Sequence, residues 1–256
     1  MLGFSAKLPI TDEDRQWVDE GFTRLEEMLG RRRMLEAAVI LPAAEYFPDP
    51  YDETPAAAEK LFCRVCEFMQ VDRSRIELEI FPDETQELRE ILPSWHSTKR
   101  KSAAGLYVHT IEDGSEDRNS EGSRMVVAVK GTLLKDPLSL VATTAHELGH
   151  VILLGGGLME RDTPDHEPMT DLLTVYLGMG IFTANFAARF KQYQEERTGG
   201  WSMQKLGYLP EEVFSYALAR LAAERGEDRP EWAKHLSTNV RAYFKRSQAW
   251  LNKNKH

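Results

Sequence analysis

The spacing of apolar residues separates an early part of the chain with strands from a late part made of helices. Strict alternation over residues 76–80 predicts a half-buried strand. Residues 105–111 and 124–130, joined by a polar loop rich in Gly and Ser, predict an antiparallel pair of strands. The short apolar run 37–41 stops at Pro42 and predicts one more buried strand. Helical spacing predicts helices over about 12–35, 55–70, 137–154, 165–180, 183–196, 210–225 and 230–252.

This order of elements predicts an α+β fold with two lobes. We expect an N-terminal lobe of mixed sheet and helix over residues 1–157, and an all-helical C-terminal lobe over 158–256. The helix over 137–154 closes the first lobe. Asp136 is its expected N-cap, Pro137 its first residue, and the glycines at 155–157 its C-terminal stop.

The helix that closes the first lobe carries the candidate chemistry, in the run His-Glu-Leu-Gly-His over 146–150. Residues four apart on a helix lie on one face, so the imidazoles of His146 and His150 can reach a common point. Zinc takes imidazole nitrogen readily. Glu147 projects beside that face, where its carboxylate can accept a proton from a water molecule at the metal. The run therefore predicts a zinc site with its own general base.

A catalytic zinc needs a third protein ligand and one open position. The segment 162–171 offers Glu167 and, as an alternative, its neighbour His166. An apolar periodic run follows and predicts a second helix. Glu167 and Asp171 can share a face of that helix, so that Glu167 binds the metal and Asp171 supports a ligand histidine from outside. Pro168 disfavours helical geometry at Glu167, which places that residue near the start of the helix.

The two segments together resemble the gluzincin metallopeptidases. That family has HExxH on one helix and a Glu ligand on the next, often with an Asp four residues later, as in HELGH and Glu-x-x-Thr-Asp here. The resemblance implies a zincin-like fold with His146, His150 and Glu167 as zinc ligands and Glu147 as general base. It implies outer support of His146 by Asp171. The metzincin pattern is absent, because Leu153 and Gly156 stand where that family has Gly and His.

A gluzincin-like site also needs a side chain that stabilises the oxyanion. Tyr208, in a Gly-Tyr-Leu turn before a helix, is the preferred candidate, with Tyr176, Tyr216 and His235 as rivals. For each of these residues, ordinary packing is the competing interpretation. The strand over 124–130 is a candidate edge strand along which a peptide backbone could pair.

Composition narrows the partners and the compartment. The chain has 256 residues, a net charge of −9 and no broad basic surface signal, so nucleic acid and anionic membrane are not expected partners. No apolar stretch reaches the ~18 uninterrupted residues of a membrane span, and no secretory signal is recognisable, so a cytoplasmic location is expected. Cys63 and Cys66 form a single CxxC on an amphipathic pattern, which favours two reduced helical cysteines.

The sequence therefore predicts a zinc-dependent metallopeptidase that acts on a peptide or protein substrate. Two alternatives remain open. One is a zinc amidase with a non-peptide substrate, and the other is a non-catalytic regulatory zincin that binds a partner. The presence of Glu147 favours an enzyme, since a purely structural metal site has no use for a base.

Overall fold

The computed structural model of the chain describes residues 7–81, 104–111, 123–198 and 209–254. Over these ranges the protein is an α+β structure, as predicted, with eight α-helices and a three-stranded mixed sheet. The helices are α1 (Asp12–Leu29), α2 (Arg31–Glu36), α3 (Pro55–Met69), α4 (Pro137–His150), α5 (His166–Tyr176), α6 (Gly180–Thr198), α7 (Glu211–Glu224) and α8 (Thr238–Lys253). The strands are β1 (Ile76–Phe81), β2 (Gly105–Ile111) and β3 (Ser123–Lys130).

The first predicted helix is two helices. Thr11 begins α1 with a capping box, in which its hydroxyl accepts from the Asp14 backbone N–H and the Asp14 carboxylate accepts from the Thr11 N–H. The helix ends at Gly30, whose φ of 84° is left-handed and costs little without a side chain. Helix α2 then starts at Arg31, so the prediction of one helix to residue 35 was wrong at Gly30.

The run 37–41 is not a strand, contrary to prediction. Its backbone is irregular, and the N–H of the buried Ile40 donates to the carbonyl of Gly178 at 3.0 Å. The chain passes so close to Gly178 that a Cβ there would lie 2.0 Å from the Ala38 carbonyl oxygen. Of the five residues only Ile40 is buried, so the apolar run predicted neither the backbone conformation nor the burial of the whole segment.

The sheet has the strand order β1-β3-β2. Strands β2 and β3 pair antiparallel, as predicted, with Tyr107 opposite Val127. Strand β1 pairs parallel to the other side of β3, with Leu78 opposite the same Val127. Strand β3 is therefore central, and the prediction that residues 124–130 form an edge strand for a peptide was wrong. Both hydrogen-bonding edges of β3 are already used by its neighbours.

The late helices follow the prediction with one break. Helices α5, α6 and α7 lie within the ranges predicted for them or differ by a few residues at the ends. The last predicted helix, 230–252, is a 3₁₀ turn over Glu231–His235 followed by α8. Between them, Leu236 and Ser237 adopt extended backbone angles that interrupt the helix.

The chain forms two compact units. The helical unit contains Met1–Pro42 and Asp162–His256, and the sheet unit contains Ala43–Arg161. In the helical unit α1 packs on α5 and α7, with the Phe22 and Tyr176 ring centroids 5.9 Å apart. The early helix α1 thus belongs with the late helices, whereas the predicted lobes divided the chain at residue 157. In the sheet unit α4 packs on α3, β2 and β3.

One helical stretch, Pro137–Gly155, passes a test of length and apolar composition for a membrane span. Within its most apolar window, 83% of the residues are buried inside the protein. The buried His146, Glu147 and His150 lie on the same stretch. A core helix passes the same test, and we interpret this stretch as one. It is the one candidate among the residues that the structure describes.

Candidate metal centre

Helix α4 forms where the sequence predicted it. The Asp136 carboxylate accepts from the Ser139 backbone N–H at 3.2 Å, and Pro137 occupies the first turn. Every residue from Ser139 to His150 is buried. A helix that is buried all round needs a reason for its polar side chains, because burying polar groups without partners is costly.

The last turn of the helix widens. After His150 the backbone becomes a π-turn over Val151–Gly155, in which Gly156 N–H donates to the Val151 carbonyl at 3.0 Å. The chain then turns at Gly157, whose φ of 68° is left-handed. The glycines end the helix as predicted, but the π-turn was not foreseen. Such turns occur frequently at functional sites.

His146 and His150 lie one turn apart on α4, with 6% and 4% of their surface exposed. Their ring centroids are 4.8 Å apart and the ring planes are at 88°. The two imidazoles therefore stand edge to face. Two histidines at this spacing on one helix face are suited to share a metal ion.

Glu147 follows the first histidine and is 3% exposed. The backbone of β2 lies directly against it: a Cβ at Gly105 would be 2.8 Å from Oε1 and 2.9 Å from Cγ of Glu147. Because Gly105 has no side chain, strand and carboxylate can approach this closely. Glu147 is thus held between its own helix and a strand.

The predicted third ligand completes a group with the two histidines. His146, His150 and Glu167 each offer one ligand atom, and these atoms lie within 4.8 Å of one another. Tetrahedral ligands at ~2.1 Å from a zinc ion are ~3.4 Å apart, a separation that lies within this 4.8 Å limit. Two imidazole nitrogens and one carboxylate oxygen are a donor set that a metal ion fits. This group can hold a metal ion.

His166, the alternative ligand, is engaged in another way. Its Nδ1 lies 3.0 Å from the Thr163 carbonyl oxygen, and its Nε2 lies 3.3 Å from Oε1 of Glu167. A carbonyl oxygen only accepts, so Nδ1 must be the donor in that bond. A carboxylate oxygen also only accepts, so Nε2 of His166 can donate to Glu167 only when both ring nitrogens carry a proton.

The start of α5 is held by α1, within the helical unit. The Asp165 carboxylate accepts from the Arg24 guanidinium at 2.6 Å and from the Trp17 indole N–H at 3.4 Å. Asp165 precedes Glu167 by two residues. Trp17 and Arg24 are seven apart, and residues at that spacing lie on one helix face. Two side chains of α1 thus fix the first turn of the helix that carries Glu167.

The other predicted site residues have mixed outcomes. Asp171 is 3% exposed, and its Oδ2 accepts from the Leu209 backbone N–H at 2.8 Å. Its support of His146 stays a prediction. Tyr208 lies outside the described residues. Among its rivals, the Tyr176 hydroxyl donates to the Gly30 carbonyl and the Tyr216 hydroxyl donates to Asp19, and both bonds are typical of packing roles.

The structure describes the backbone contact of the remaining rival, His235, and its role at the oxyanion stays untested. The carbonyl of His235 accepts from the Asn185 amide at 2.9 Å and so joins two helical segments.

Cys63 and Cys66 are free thiols on α3. Burial raises the pKa of the Cys66 thiol to about 12, which leaves essentially no reactive thiolate near neutral pH.

Two residues of β2 beside the site were missed from the sequence. Gly105 lies against Glu147, and the Tyr107 ring is nearly parallel to that of His150, with centroids 6.3 Å apart and planes at 19°. Alternate residues of a strand share a face, so one face of β2 meets the last turn of α4. A glycine inside a strand pattern signals a close approach of this kind, but the sequence does not say of which partner.

Comparison of the chain with models of protein families, with curated proteins and with solved structures found no match. The likeness to gluzincins therefore rests on the motif residues between positions 146 and 171.

Proposed function

We propose that this protein is a zinc-dependent hydrolase, and specifically a metallopeptidase that cleaves peptide bonds. The observation that carries the proposal is the buried Glu147 beside the group formed by His146, His150 and Glu167. Three protein ligands leave a fourth position open in a tetrahedral shell, which is the arrangement of catalytic zinc sites. The same donors also occur in iron sites. The buried carboxylate of Glu147 beside these donors favours a zinc hydrolase over an iron site, since hydrolysis needs a base.

The metal would be held by imidazole nitrogen atoms of His146 and His150 and by a carboxylate oxygen of Glu167. Zinc bound there would polarise the scissile carbonyl and make a water molecule nucleophilic near neutral pH. The histidines must be neutral to bind it, so binding weakens as pH falls and they become protonated.

Glu147 is the group that moves protons in this proposal. Its carboxylate accepts one proton as the water oxygen bonds to the scissile carbonyl carbon. The same carboxyl then gives that proton to the amide nitrogen as the carbon–nitrogen bond breaks, which releases an acid and an amine. Its burial supports this role, because a water-poor setting strengthens the interaction of a base with a developing charge.

The decisive experiment compares wild type with Glu147→Gln. The amide cannot accept the proton, and the ligand residues are unchanged, so zinc content and thermal unfolding should match wild type while hydrolysis falls to background. Both proteins are incubated with a mixture of unlabelled peptides, and products are identified by mass spectrometry. Glu79→Gln, a half-buried carboxylate on β1, is the matched control and should cleave as wild type does.

Each outcome assigns the protein to one class. Cleavage by wild type that a chelator abolishes and zinc restores supports a peptidase. Equal cleavage by Glu147→Gln refutes Glu147 as the base. If fully zinc-loaded wild type cleaves no peptide, the peptidase assignment is refuted. The remaining alternatives are then an amidase with a non-peptide substrate and a regulatory zincin.

A further inference from the structure

The ring of Tyr107 contacts the metal-ligand candidate His150 inside the sheet unit. The two rings are nearly parallel, at 19°, with centroids 6.3 Å apart. This is an offset stack, an arrangement that aromatic pairs favour. The His146 ring stands at 88° to His150, with centroids 4.8 Å apart. The imidazole of His150 is therefore oriented by one ring parallel to it and one perpendicular to it.

Tyr107 is itself held from several sides. It is 2% exposed on β2, and Arg161 lies with its guanidinium carbon 5.8 Å from the ring centroid. Its hydroxyl reaches the end of the π-turn, where a Cβ at Gly155 would lie 2.6 Å from the hydroxyl oxygen. The same Cβ would lie 3.5 Å from Cζ, which is an ordinary contact. It would also lie 3.1 Å from Sδ of Met125, a flexible side chain, so the Tyr107 hydroxyl is the group closest to the space that Gly155 leaves open.

We infer that Tyr107 is a positioning residue, which fixes the ring of His150 in the orientation that presents its nitrogen to the metal, and that Gly155 exists to admit it. The inference rests on the proposed metal site. A histidine ring can rotate about its Cβ–Cγ bond, and ligand rings in metal sites are usually fixed by outer partners. Here the outer partner is an aromatic face, supplied by β2.

The first test separates ring contact from general stability. Tyr107→Leu removes the aromatic face, Tyr107→Phe keeps it, and Phe62→Leu is the matched control. Phe62 is 1% exposed in the same unit and also lies beside an arginine, Arg73, at 5.0 Å. Zinc affinity is measured on the full chain by competition with a chromophoric chelator. We expect Tyr107→Leu to bind zinc about tenfold more weakly, as for loss of an outer partner, and the other two variants to bind like wild type.

The second test uses the close approach at Gly155. Gly155→Ala alone should push the phenol off His150 and weaken zinc binding as Tyr107→Leu does. Adding Tyr107→Phe removes the oxygen that the new Cβ meets, so the double variant should recover wild-type affinity. A purely destabilising effect of the alanine would not be rescued by a second core substitution.

A metal-free measurement keeps the inference separate from the proposed function. In protein labelled with ¹³C-histidine, the ring current of Tyr107 should shift the NMR signals of the His150 ring protons. These signals are assigned to His150 by their absence from the spectrum of His150→Gln. Tyr107→Phe should keep the shift and Tyr107→Leu should lose it. If this pattern holds but wild type binds no zinc, the metal site is refuted and the positioning by Tyr107 stands. Wild-type zinc affinity and unmoved His150 signals in Tyr107→Leu, equal weakening by Phe62→Leu, or no rescue of Gly155→Ala would overturn the inference.

Discussion

Gly105 lies so close to Glu147 that a Cβ at position 105 would stand 2.8 Å from the carboxylate oxygen Oε1. The same Cβ would meet Cγ2 of Thr143 at 2.6 Å. Strand and helix are both buried here, so neither can move away without disturbing the packing of the sheet unit. Of the two side chains that the Cβ would meet, those of Thr143 and Glu147, the longer Glu147 can move more easily.

Gly105→Ala should therefore displace the proposed base and leave the ligands in place. A misplacement of about 1 Å in a catalytic group can cost on the order of 100-fold in rate, and we expect a loss of that size in kcat with zinc content unchanged. Gly131→Ala is the matched control, because its Cβ would have no neighbour nearer than 3.4 Å. Zinc stoichiometry and peptide hydrolysis are measured on all three proteins. Unchanged kcat in Gly105→Ala would show that the carboxylate tolerates the contact or is not the base.

The ligand set predicts a ranking of metal affinities. Wild type purified without chelator should hold close to one zinc per chain, and His146→Ala or His150→Ala should lose most of it. Stoichiometric zinc in both variants would show that these histidines are not zinc ligands. Asp171→Asn should weaken binding less, by about 10–100-fold, if Asp171 acts from outside the ligand shell.

Adjacent residues on α5 provide the sharpest comparison. We expect Glu167→Ala to weaken zinc binding far more than His166→Ala, because Glu167 belongs to the group of possible ligands and His166 contacts Thr163 and Glu167 instead. Affinity is measured by competition titration on both variants. The reverse ranking would identify His166 as the ligand and Glu167 as its support.

The cysteines give a prediction that is independent of the metal. Burial raises the pKa of the Cys66 thiol to about 12, so its thiolate is scarce at pH 8 and iodoacetamide should leave Cys66 unmodified in the native protein. Cys63 is partly exposed and should react first. Peptide mapping by mass spectrometry, with urea-unfolded protein as the control, measures both sites. Equal labelling of Cys66 in native and unfolded protein would contradict its burial.

Local sequence signals predicted the elements that local physics determines. The capped start at Asp136, the pair of histidines four apart and the alternating strand over 76–80 each depend on neighbours within a few residues. The glycines after α4 end that helix for the same reason. The candidate ligand Glu167 also followed from local pattern, because a new helix had to begin just before it.

The features that the sequence missed depend on distant partners. The parallel pairing of β1 with β3 joins strands separated by more than 40 residues, and no local pattern records it. The run 37–41 has the composition of a buried strand, but its backbone bonds to Gly178. In the sequence nothing distinguishes Tyr107 from other strand residues, and only the fold shows that its ring stacks with that of His150.

The contact of α1 with Asp165 predicts a remote effect on the metal site. Arg24→Met removes an ion pair that is partly exposed on both sides, so stability should fall by less than about 1 kcal/mol. Zinc affinity should fall as well, by less than the roughly tenfold cost of losing a direct outer partner, because Asp165 fixes the turn that carries Glu167. Arg15→Met is the matched control: it breaks a comparably exposed pair with Asp19 on the same helix. Chemical unfolding and competition titration measure both variants. Equal zinc affinities in the two variants would mean that Asp165 stabilises the helical unit without orienting Glu167.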